Sequence, residues 1–321
     1  MNPISFQPYG IFKNPYIQSI LASKRPGGHF SGLLQTVCQT IVLTCENNEK
    51  LLTSYFLQPP NIEKGCVILL HGWEGSSESR YIREATRNLF YQGYSIFRLN
   101  LRDHGATYHL NEGLFFGTLF DEVFQAVTQI ASMAKGKPVF LVGYSLGANF
   151  ALRIARQHSK NPIQGLKNVL AIGPPLNPDV STDKIDQIPL FRYSFLKKWL
   201  RSLKRKQQLF PHLYSFDKIF HLKTIREVTE VLLEKHTHFK SAKEYFLCYT
   251  LLGDALKDLR VPTTIITAAD DPIIPVADFY ELVPNDNIRL IIHQYGGHIG
   301  FIEGFRLKSW LDRFMQYFLV S

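Results

Sequence analysis

The chain has 321 residues, of which 45% are hydrophobic, 13% aromatic and 20% charged. These proportions exclude a disordered or low-complexity chain and are typical of a globular protein with a full hydrophobic core. The net charge is +9, from 36 lysines and arginines against 27 acidic residues. Because no nucleic-acid-binding motif accompanies this charge, we expect a basic surface and no nucleic-acid partner.

The start of the chain and its cysteines bear on where the protein works. The first residues, MNPISFQPYG, lack a basic segment followed by an apolar one, and no apolar run reaches the roughly 18 residues of a membrane span. The four cysteines show neither CxxC spacing nor the density of a disulfide scaffold. We therefore expect a cytoplasmic protein with reduced thiols and no membrane-spanning segment.

Apolar runs and helical periodicity predict the elements in chain order. Residues 1–36 form a predicted N-terminal arm interrupted by proline and glycine, and 39–44 pairs with 51–56 in a hairpin. Further strands are predicted at 66–70, 94–100, 139–142, 166–172, 262–268 and 288–293. Amphipathic helices are predicted at 81–89, 119–130, 276–282 and 307–318.

The order of these elements predicts the fold class. Repeated strand–helix units predict an α/β fold with a mostly parallel, doubly wound central sheet flanked by helices. The alternation stops at 176–259, which has helical periodicity and two capping boxes, Thr224 with Glu227 and Ser241 with Glu244. We interpret this segment as a helical lid inserted into a core made of 37–175 and 260–321.

The sequence VFLVGYSLGANF at 139–150 contains the strongest chemical signal. A buried strand leads into Gly143-Tyr144-Ser145-Leu146-Gly147, a G-x-S-x-G motif, and small residues then carry a helix onward. The turn in such a motif is so tight that a Cβ at either glycine would collide with neighbouring backbone. Ser145 is therefore predicted to stand exposed at the turn, as a candidate nucleophile.

A serine hydroxyl needs a base and an orienting acid to attack at neutral pH. Strand 262–268 ends in Asp270 and Asp271, and strand 288–293 is followed by a glycine-rich loop that carries His298. Both loops should lie at the carboxyl edge of the sheet, and the order serine, acid, histidine is the one expected with this motif. The sequence predicts His298 as the base and leaves Asp270 and Asp271 as alternatives for the acid.

An oxyanion hole requires two backbone N–H donors. One candidate is the N–H of Leu146, directly after the candidate nucleophile. The other should come from the loop His71-Gly72-Trp73-Glu74-Gly75, which follows strand 66–70, and we assign it to Trp73.

Two histidines in the loop RDHGATYHLNEG suggest a metal site as an alternative chemistry. His104 and His109 are the histidines of this loop, and no third ligand with firm spacing accompanies them. We therefore predict structural hydrogen bonds for these histidines and no bound metal.

Several segments together resemble the α/β-hydrolases, and specifically their YheT-like branch. They are NPYIQSIL, HGWEGSSES, LNLRDHG, GYSLGAN, IGPPLN, VPTTIITAADDPIIP and GGHIGF, which run from about residue 14 to 301. In that family the acid stands four residues before the proline of the DDPxxP-type segment, which selects Asp271, four before Pro275, over Asp270. The resemblance also implies hydrolysis of carboxylic esters, often acyl or lipid esters, without metal or cofactor. Asp103 departs from the family, since many members have glycine there, and the sequence assigns it no role.

The sequence therefore predicts a serine hydrolase that cleaves carboxylic, lipid-like esters with Ser145, His298 and Asp271. Its partner is a small-molecule ester with an apolar acyl group. Two alternatives stay open: an acyltransferase that uses the same residues with an alcohol acceptor, and a non-catalytic binding protein on the same fold.

One predicted helix of the lid has an apolar face and a basic remaining surface. Phe195, Leu196, Trp199, Leu200 and Leu203 recur at helical spacing, and Lys197, Lys198, Arg201, Lys204, Arg205 and Lys206 occupy much of the remaining surface. The apolar face is predicted to cover the core near the mouth of the pocket. The charges either lie in water or contact an anionic membrane with Trp199 at the interface.

Overall fold

The computed structural model describes residues 5–24 and 32–319. Its strands are Gln39–Thr44 (β1), Lys50–Phe56 (β2), Gly65–Leu70 (β3), Tyr94–Leu99 (β4), Val139–Tyr144 (β5), Leu166–Ile172 (β6), Thr263–Ala268 (β7) and Ile288–His293 (β8). Its α-helices are Pro15–Lys24 (α1), Leu33–Val37 (α2), Arg80–Tyr91 (α3), Phe120–Met133 (α4), Leu146–His158 (α5), Pro178–Gln187 (α6), Pro189–Leu209 (α7), Ile225–His236 (α8), Ala242–Leu247 (α9), Ala277–Tyr280 (α10) and Trp310–Phe318 (α11). Short 3-10 turns lie at Gly10–Lys13 and Ile219–His221.

The strands form one sheet of eight in the order β1-β2-β4-β3-β5-β6-β7-β8. The hairpin β1–β2 is antiparallel and joins β4 in an antiparallel pairing, and β3 to β8 are parallel. Strands β3, β4, β5 and β7 are buried along their whole length, as expected for parallel strands covered on both faces. The predicted α/β class with a mostly parallel, doubly wound sheet is confirmed.

Side chains alternate along the strands and contribute to two separate hydrophobic cores. In β3, Cys66, Ile68 and Leu70 point to a core that contains α4 and α5, whereas Val67 and Leu69 point to a core that contains α3 and α11. This alternation is the period of two that a strand imposes. Because helices cover both faces of the sheet, a ligand can approach the parallel strands at their ends, where loops gather.

Two helices and one capping box differ in detail from their prediction. The helix predicted at 276–282 covers only Ala277–Tyr280, and the C-terminal helix begins at Trp310, since Leu307 adopts a φ of 51° that no helix accommodates. Thr224 and Glu227 form the predicted reciprocal capping box. Ser241 accepts from the N–H of Glu244, but the Glu244 carboxylate accepts from Lys240, one residue earlier than a capping box requires.

The N-terminal arm carries helices that were not predicted from the sequence. Of residues 1–36, the structure describes 5–24 and 32–36, which contain the 3-10 turn at Gly10–Lys13, α1 and the start of α2. Asn14 begins α1: its Oδ1 accepts from the N–H groups of Tyr16 and Ile17 at 2.9 and 3.2 Å, and Pro15 occupies the first helical position, where its missing N–H costs nothing.

Candidate active site

Ser145 stands at a sharp turn between β5 and α5. Its backbone has φ 53° and ψ −120°, a combination that L-residues rarely adopt. The flanking glycines make the turn feasible, because a Cβ on Gly143 would lie 2.2 Å from Gly147 O and a Cβ on Gly147 would lie 2.5 Å from His71 O. Ser145 N donates to Ile172 O at 2.8 Å, which fixes the turn to the neighbouring strand. The steric purpose assigned to the two glycines is confirmed.

Ser145, His298 and Asp271 form a continuous hydrogen-bonded chain. Ser145 Oγ lies 2.9 Å from His298 Nε2, and His298 Nδ1 lies 2.9 Å from Asp271 Oδ2. The ring is a donor at Nδ1 and an acceptor at Nε2 when it is neutral, because a carboxylate can only accept at the other end. The side chains of Asp271 and His298 are 1% and 8% exposed, so the chain runs through a site largely shielded from water.

The two neighbouring aspartates have different contacts. Besides His298, Asp271 accepts at Oδ1 from the N–H groups of Ile273 and Ile274, at 2.8 and 3.0 Å. Asp270 instead accepts at Oδ1 from Gly297 N at 2.9 Å, and burial raises the pKa of its carboxyl. The geometry therefore brings Asp271, and not Asp270, to the imidazole.

Two cavities meet at Ser145 and His298. The first has a volume of about 110 Å³ and is walled mostly by apolar side chains of the core and of α6 to α9, including Trp73, Phe116, Leu232 and Phe246. The second has a volume of about 450 Å³ and lies among α1, α3, α7 and the loop 71–79. Leu146 lines the first cavity, and Trp73 lines both, so the two residues assigned to the oxyanion hole lie in the walls around Ser145.

Two buried histidines hold the loop that carries Trp73. His71 accepts at Nε2 from Leu101 N and donates from Nδ1 to Gly72 O, and His104 accepts at Nε2 from Glu74 N and donates from Nδ1 to Arg102 O. Burial lowers the pKa of His71 to about 3 and that of His104 to about 4, so both rings are neutral, as these paired roles require. Structural hydrogen bonding of His104 is thus confirmed, whereas His109 is exposed.

Helix α7 lies over the site with its apolar face inward. Phe195 stacks on Trp73 with ring centroids 5.5 Å apart, Trp199 meets the same ring edge-on at 5.0 Å, and Leu203 is buried. The predicted apolar face is confirmed, but the placement of Lys206 on the polar surface was wrong, because Lys206 is 1% exposed and is buried against Asp103. Trp199, which the membrane alternative places at the interface, packs in the wall of the first cavity.

Residues 61–303 match one family profile, the Hydrolase_4 family described as serine aminopeptidase, S33. The chain belongs to this α/β-hydrolase family. The matched segment includes Ser145, Asp271 and His298 and ends before α11. Family membership supports hydrolase activity.

Curated relatives and solved structures agree with this fold. The phospholipase ABHD3 of Mus musculus is 23% identical over 258 residues, covering 79% of this chain and 62% of the relative. The medium-chain fatty acid ethyl ester synthase/esterase 2 of Saccharomyces cerevisiae is 23% identical over 270 residues, covering 75% of this chain and 59% of the relative. This chain thus spans less than two thirds of the length of these relatives. The Pyrococcus furiosus esterase Pf2001 superimposes with a TM-score of 0.58 at 20% identity, over 93% of this chain and 96% of the esterase.

Several contacts of this Hydrolase_4 member were not predicted from sequence. They involve Gln18 and Ser19 beside the His298 loop, Asp103 with Lys206, and Glu74 with Ser202. Gln18 and Ser19 lie in the segment NPYIQSIL, and the part that this segment plays in the family resemblance was the one sequence signal that pointed to them.

Among residues 5–24 and 32–319, no helix has the length and apolarity to cross a bilayer. The same residues contain no group of three or more His, Cys, Asp or Glu side chains placed to hold a metal ion.

Proposed function

We propose that this protein hydrolyses carboxylic esters through Ser145, His298 and Asp271, by way of an acyl-enzyme. The observation that carries the proposal is the hydrogen-bonded chain from Ser145 Oγ to His298 and on to Asp271, each step 2.9 Å long. Family membership and the strained turn at Ser145 support the same chemistry.

The proposed reaction has two halves. In the first, His298 Nε2 takes the proton of Ser145 as Oγ attacks the ester carbonyl, and the imidazolium then protonates the departing alkoxide as the C–O bond breaks. In the second, water attacks the acyl-enzyme and gives a proton to His298, which passes it to Ser145 Oγ as the acyl C–Oγ bond breaks and the acid leaves. Asp271 holds the ring with Nε2 toward Ser145 and stabilises its cationic form. The N–H groups of Trp73 and Leu146 stabilise the oxyanion in both halves.

The cavities suggest how such an ester is oriented. The apolar walls of the first cavity suit an acyl chain, and its volume of about 110 Å³ has room for a few methylene groups. The second, larger cavity then receives the alcohol portion. Its charged lining residues are Lys24, Arg80, Arg83, Lys198, Glu74 and Glu78. Cations outnumber carboxylates in this wall, so an alcohol portion that carries negative charge is favoured over one that carries positive charge.

A second candidate function is acyl transfer to an alcohol. The cavity of about 450 Å³ that opens at Ser145 has room for an acceptor alcohol in place of water. The relative from Saccharomyces cerevisiae carries both synthase and esterase in its name. Product analysis in the presence of added alcohol separates the two reactions, because only transfer yields a new ester.

The central test uses a fluorophosphonate probe and chromogenic esters of graded acyl length. We expect the probe to label Ser145, and we expect Ser145→Ala to abolish both labelling and turnover. Ser181→Ala is the matched control, since Ser181 lines the same cavity but donates to the carbonyl of Asn177, the residue before α6. Labelling or turnover that survives in Ser145→Ala rejects the proposal, and a wild-type protein that binds esters without cleaving them supports the binding-protein alternative.

We also propose that the protein belongs to the YheT-like branch and divides into an arm (1–36), a core (37–175 and 260–321) and a lid (176–259). Helices α6 to α9 all fall between β6 and β7, which supports the lid. The exposed cations of α7, namely Lys197, Arg201, Lys204 and Arg205, support contact of this lid with an anionic membrane. Sedimentation with anionic and neutral liposomes at low and high salt tests this contact. Equal, negligible binding to both rejects it.

A further inference from the structure

The N-terminal helix α1 is bonded directly to the loop that carries His298. Gln18 is fully buried, and its Nε2 donates to Phe12 O at 2.6 Å and to Ile302 O at 2.9 Å, while its Oε1 accepts from Ile302 N at 2.7 Å. One side chain thus joins the segment before α1 to the backbone four residues after His298. The Nε2 and Oε1 atoms of Gln18 thus both have hydrogen-bond partners, as a buried amide requires.

Ser19 contacts the histidine itself. Its Oγ accepts a hydrogen bond from His298 N at 2.8 Å and donates to Pro15 O at 2.7 Å. The hydroxyl therefore ties the main chain of His298 to the first turn of α1. This contact differs from that of Asp271, which holds the ring at Nδ1 and not the main chain of residue 298.

The loop is shaped to lie against α1 at the cost of backbone strain. A Cβ on Gly297 would lie 2.3 Å from Pro15 O, and one on Gly300 would lie 2.5 Å from Gln18 O. Ile299 and Phe301 have φ angles of 54° and 49°, which are unfavourable for L-residues and especially for a β-branched one. Residues with strained backbone angles persist only where contacts with the surrounding structure hold them in place, and α1 makes such contacts with this loop.

We propose that α1 is part of the catalytic apparatus and that Ser19 and Gln18 are positioning residues for His298. The inference rests on the proposed esterase function and deepens it. Because α1 precedes residue 61, where the match to the Hydrolase_4 profile begins, Ser19 and Gln18 lie outside the matched segment. Freed from Ser19, the main chain of His298 shifts and Nε2 moves out of line with Ser145 Oγ. A displacement of about 1 Å costs on the order of 100-fold in rate.

The test compares Ser19→Ala with Ser132→Ala and with Ser19→Thr. Ser132 is an exposed helical serine whose Oγ donates to Gln129 O, so it loses a similar local bond far from the site. Turnover is divided by the number of sites that a fluorophosphonate titrates, which removes any unfolded fraction. We expect Ser19→Ala to lower kcat per titrated site by about 10- to 100-fold with KM within about twofold. Ser19→Thr, which keeps the hydroxyl, should restore most of the rate, and Ser132→Ala should match the wild type.

Two outcomes overturn the inference. One is a Ser19→Ala protein whose kcat per titrated site lies within about twofold of the wild type. The other applies if Ser19→Ala does not fold: amide exchange at His298 in the wild-type protein then decides, and exchange as fast as that of exposed loops rejects the contact, whereas strong protection supports it. Ser145→Ala separates this inference from the proposed function. If that variant is inactive while Ser19→Ala is fully active, only the role of α1 fails.

Discussion

Asp103 and Lys206 form a buried ion pair that joins the core to α7. Lys206 Nζ donates to Asp103 Oδ1 at 2.8 Å and also to the carbonyls of Asn111 and Gly113 at 2.6 and 3.0 Å. Asp103 Oδ2 accepts from Phe115 N at 3.0 Å. Burial lowers the pKa of Lys206, and Asp103 opposes that shift. Asp103, to which the sequence assigned no role, thus anchors the helix that covers the site.

Replacing one member of this pair should destabilise the protein strongly. In Lys206→Ala, Asp103 and the three carbonyls of Tyr108, Asn111 and Gly113 lose their partner in a buried setting, so we expect a loss of about 3–5 kcal/mol in the free energy of unfolding. Lys204→Ala, on the exposed side of the same helix, should change it by less than about 0.5 kcal/mol. Chemical denaturation measures both. Equal stability of the two variants would contradict a structural role for the pair.

The two aspartates after β7 should differ in their effect on turnover. Asp271→Asn leaves His298 without its charge partner and without a fixed tautomer, so we expect kcat to fall by about 10⁴. Asp270→Asn removes an acceptor for Gly297 N but no contact with the ring, and should cost far less. Steady-state kinetics on one chromogenic ester compare them. If Asp270→Asn is the more damaging change, the assignment of the acid is wrong.

Glu74 should make stability depend on pH. Burial raises the pKa of its carboxyl from 4.5 to about 7, while Ser202 Oγ donates to its Oε2 at 2.8 Å and partly opposes the shift. A carboxyl whose folded-state pKa is raised contributes stability that is complete below about pH 4.5 and is lost as pH rises through about 7. Glu74→Gln cannot ionise and should be free of this loss, which we expect to be on the order of 1–3 kcal/mol.

Melting temperatures between pH 4.5 and 8 measure the effect of Glu74. The difference between Glu74→Gln and the wild type should grow as pH rises above about 4.5 and should level off above about 7, where the carboxyl is ionised in the folded state as well. Glu112→Gln, which alters an exposed carboxylate, serves as the control and should follow the wild type at every pH. A Glu74→Gln curve parallel to that of the wild type would show that Glu74 does not titrate in this range.

Two adjacent lysines of α7 allow the charge preference of the second cavity to be tested. Lys198 lines that cavity, whereas Lys197 is exposed and lies over the Tyr193 ring. For an ester whose alcohol portion carries a carboxylate or phosphate, Lys198→Ala should lower kcat/KM by about 10-fold, because one charge-assisted contact contributes about 1.5–3 kcal/mol. For a neutral ester of the same size, kcat/KM should change less than about twofold.

The control for Lys198 is its neighbour. Lys197→Ala should leave the ratio of anionic to neutral ester turnover unchanged, since its ammonium group does not face the cavity. If both variants lower the ratio equally, the preference arises from the general positive charge of the protein. If neither variant lowers it, the alcohol portion does not contact Lys198.

The sequence by itself determined the fold class, the position of Ser145 and the order of the three candidate catalytic residues. These follow from local patterns: strands of period two, helices of period 3.6, glycines at a turn too tight for Cβ, and polar residues placed just after parallel strands. Parallel strands end at one edge of the sheet, so residues that follow β5, β7 and β8 had to meet there. The bonds from Ser145 to His298 and from His298 to Asp271 agree with that expectation.

Only the tertiary structure decided which distant side chains support the site. Ser19 meets His298 across 279 residues and Lys206 meets Asp103 across 103, and no local pattern relates residues so far apart. Lys206 has the sequence context of a solvent-exposed residue, within a run of lysines and arginines, yet its orientation depends on how α7 packs on the loop after β4. Burial of a polar side chain requires partners with the right geometry, and those partners are brought together by packing after the helices and strands have formed.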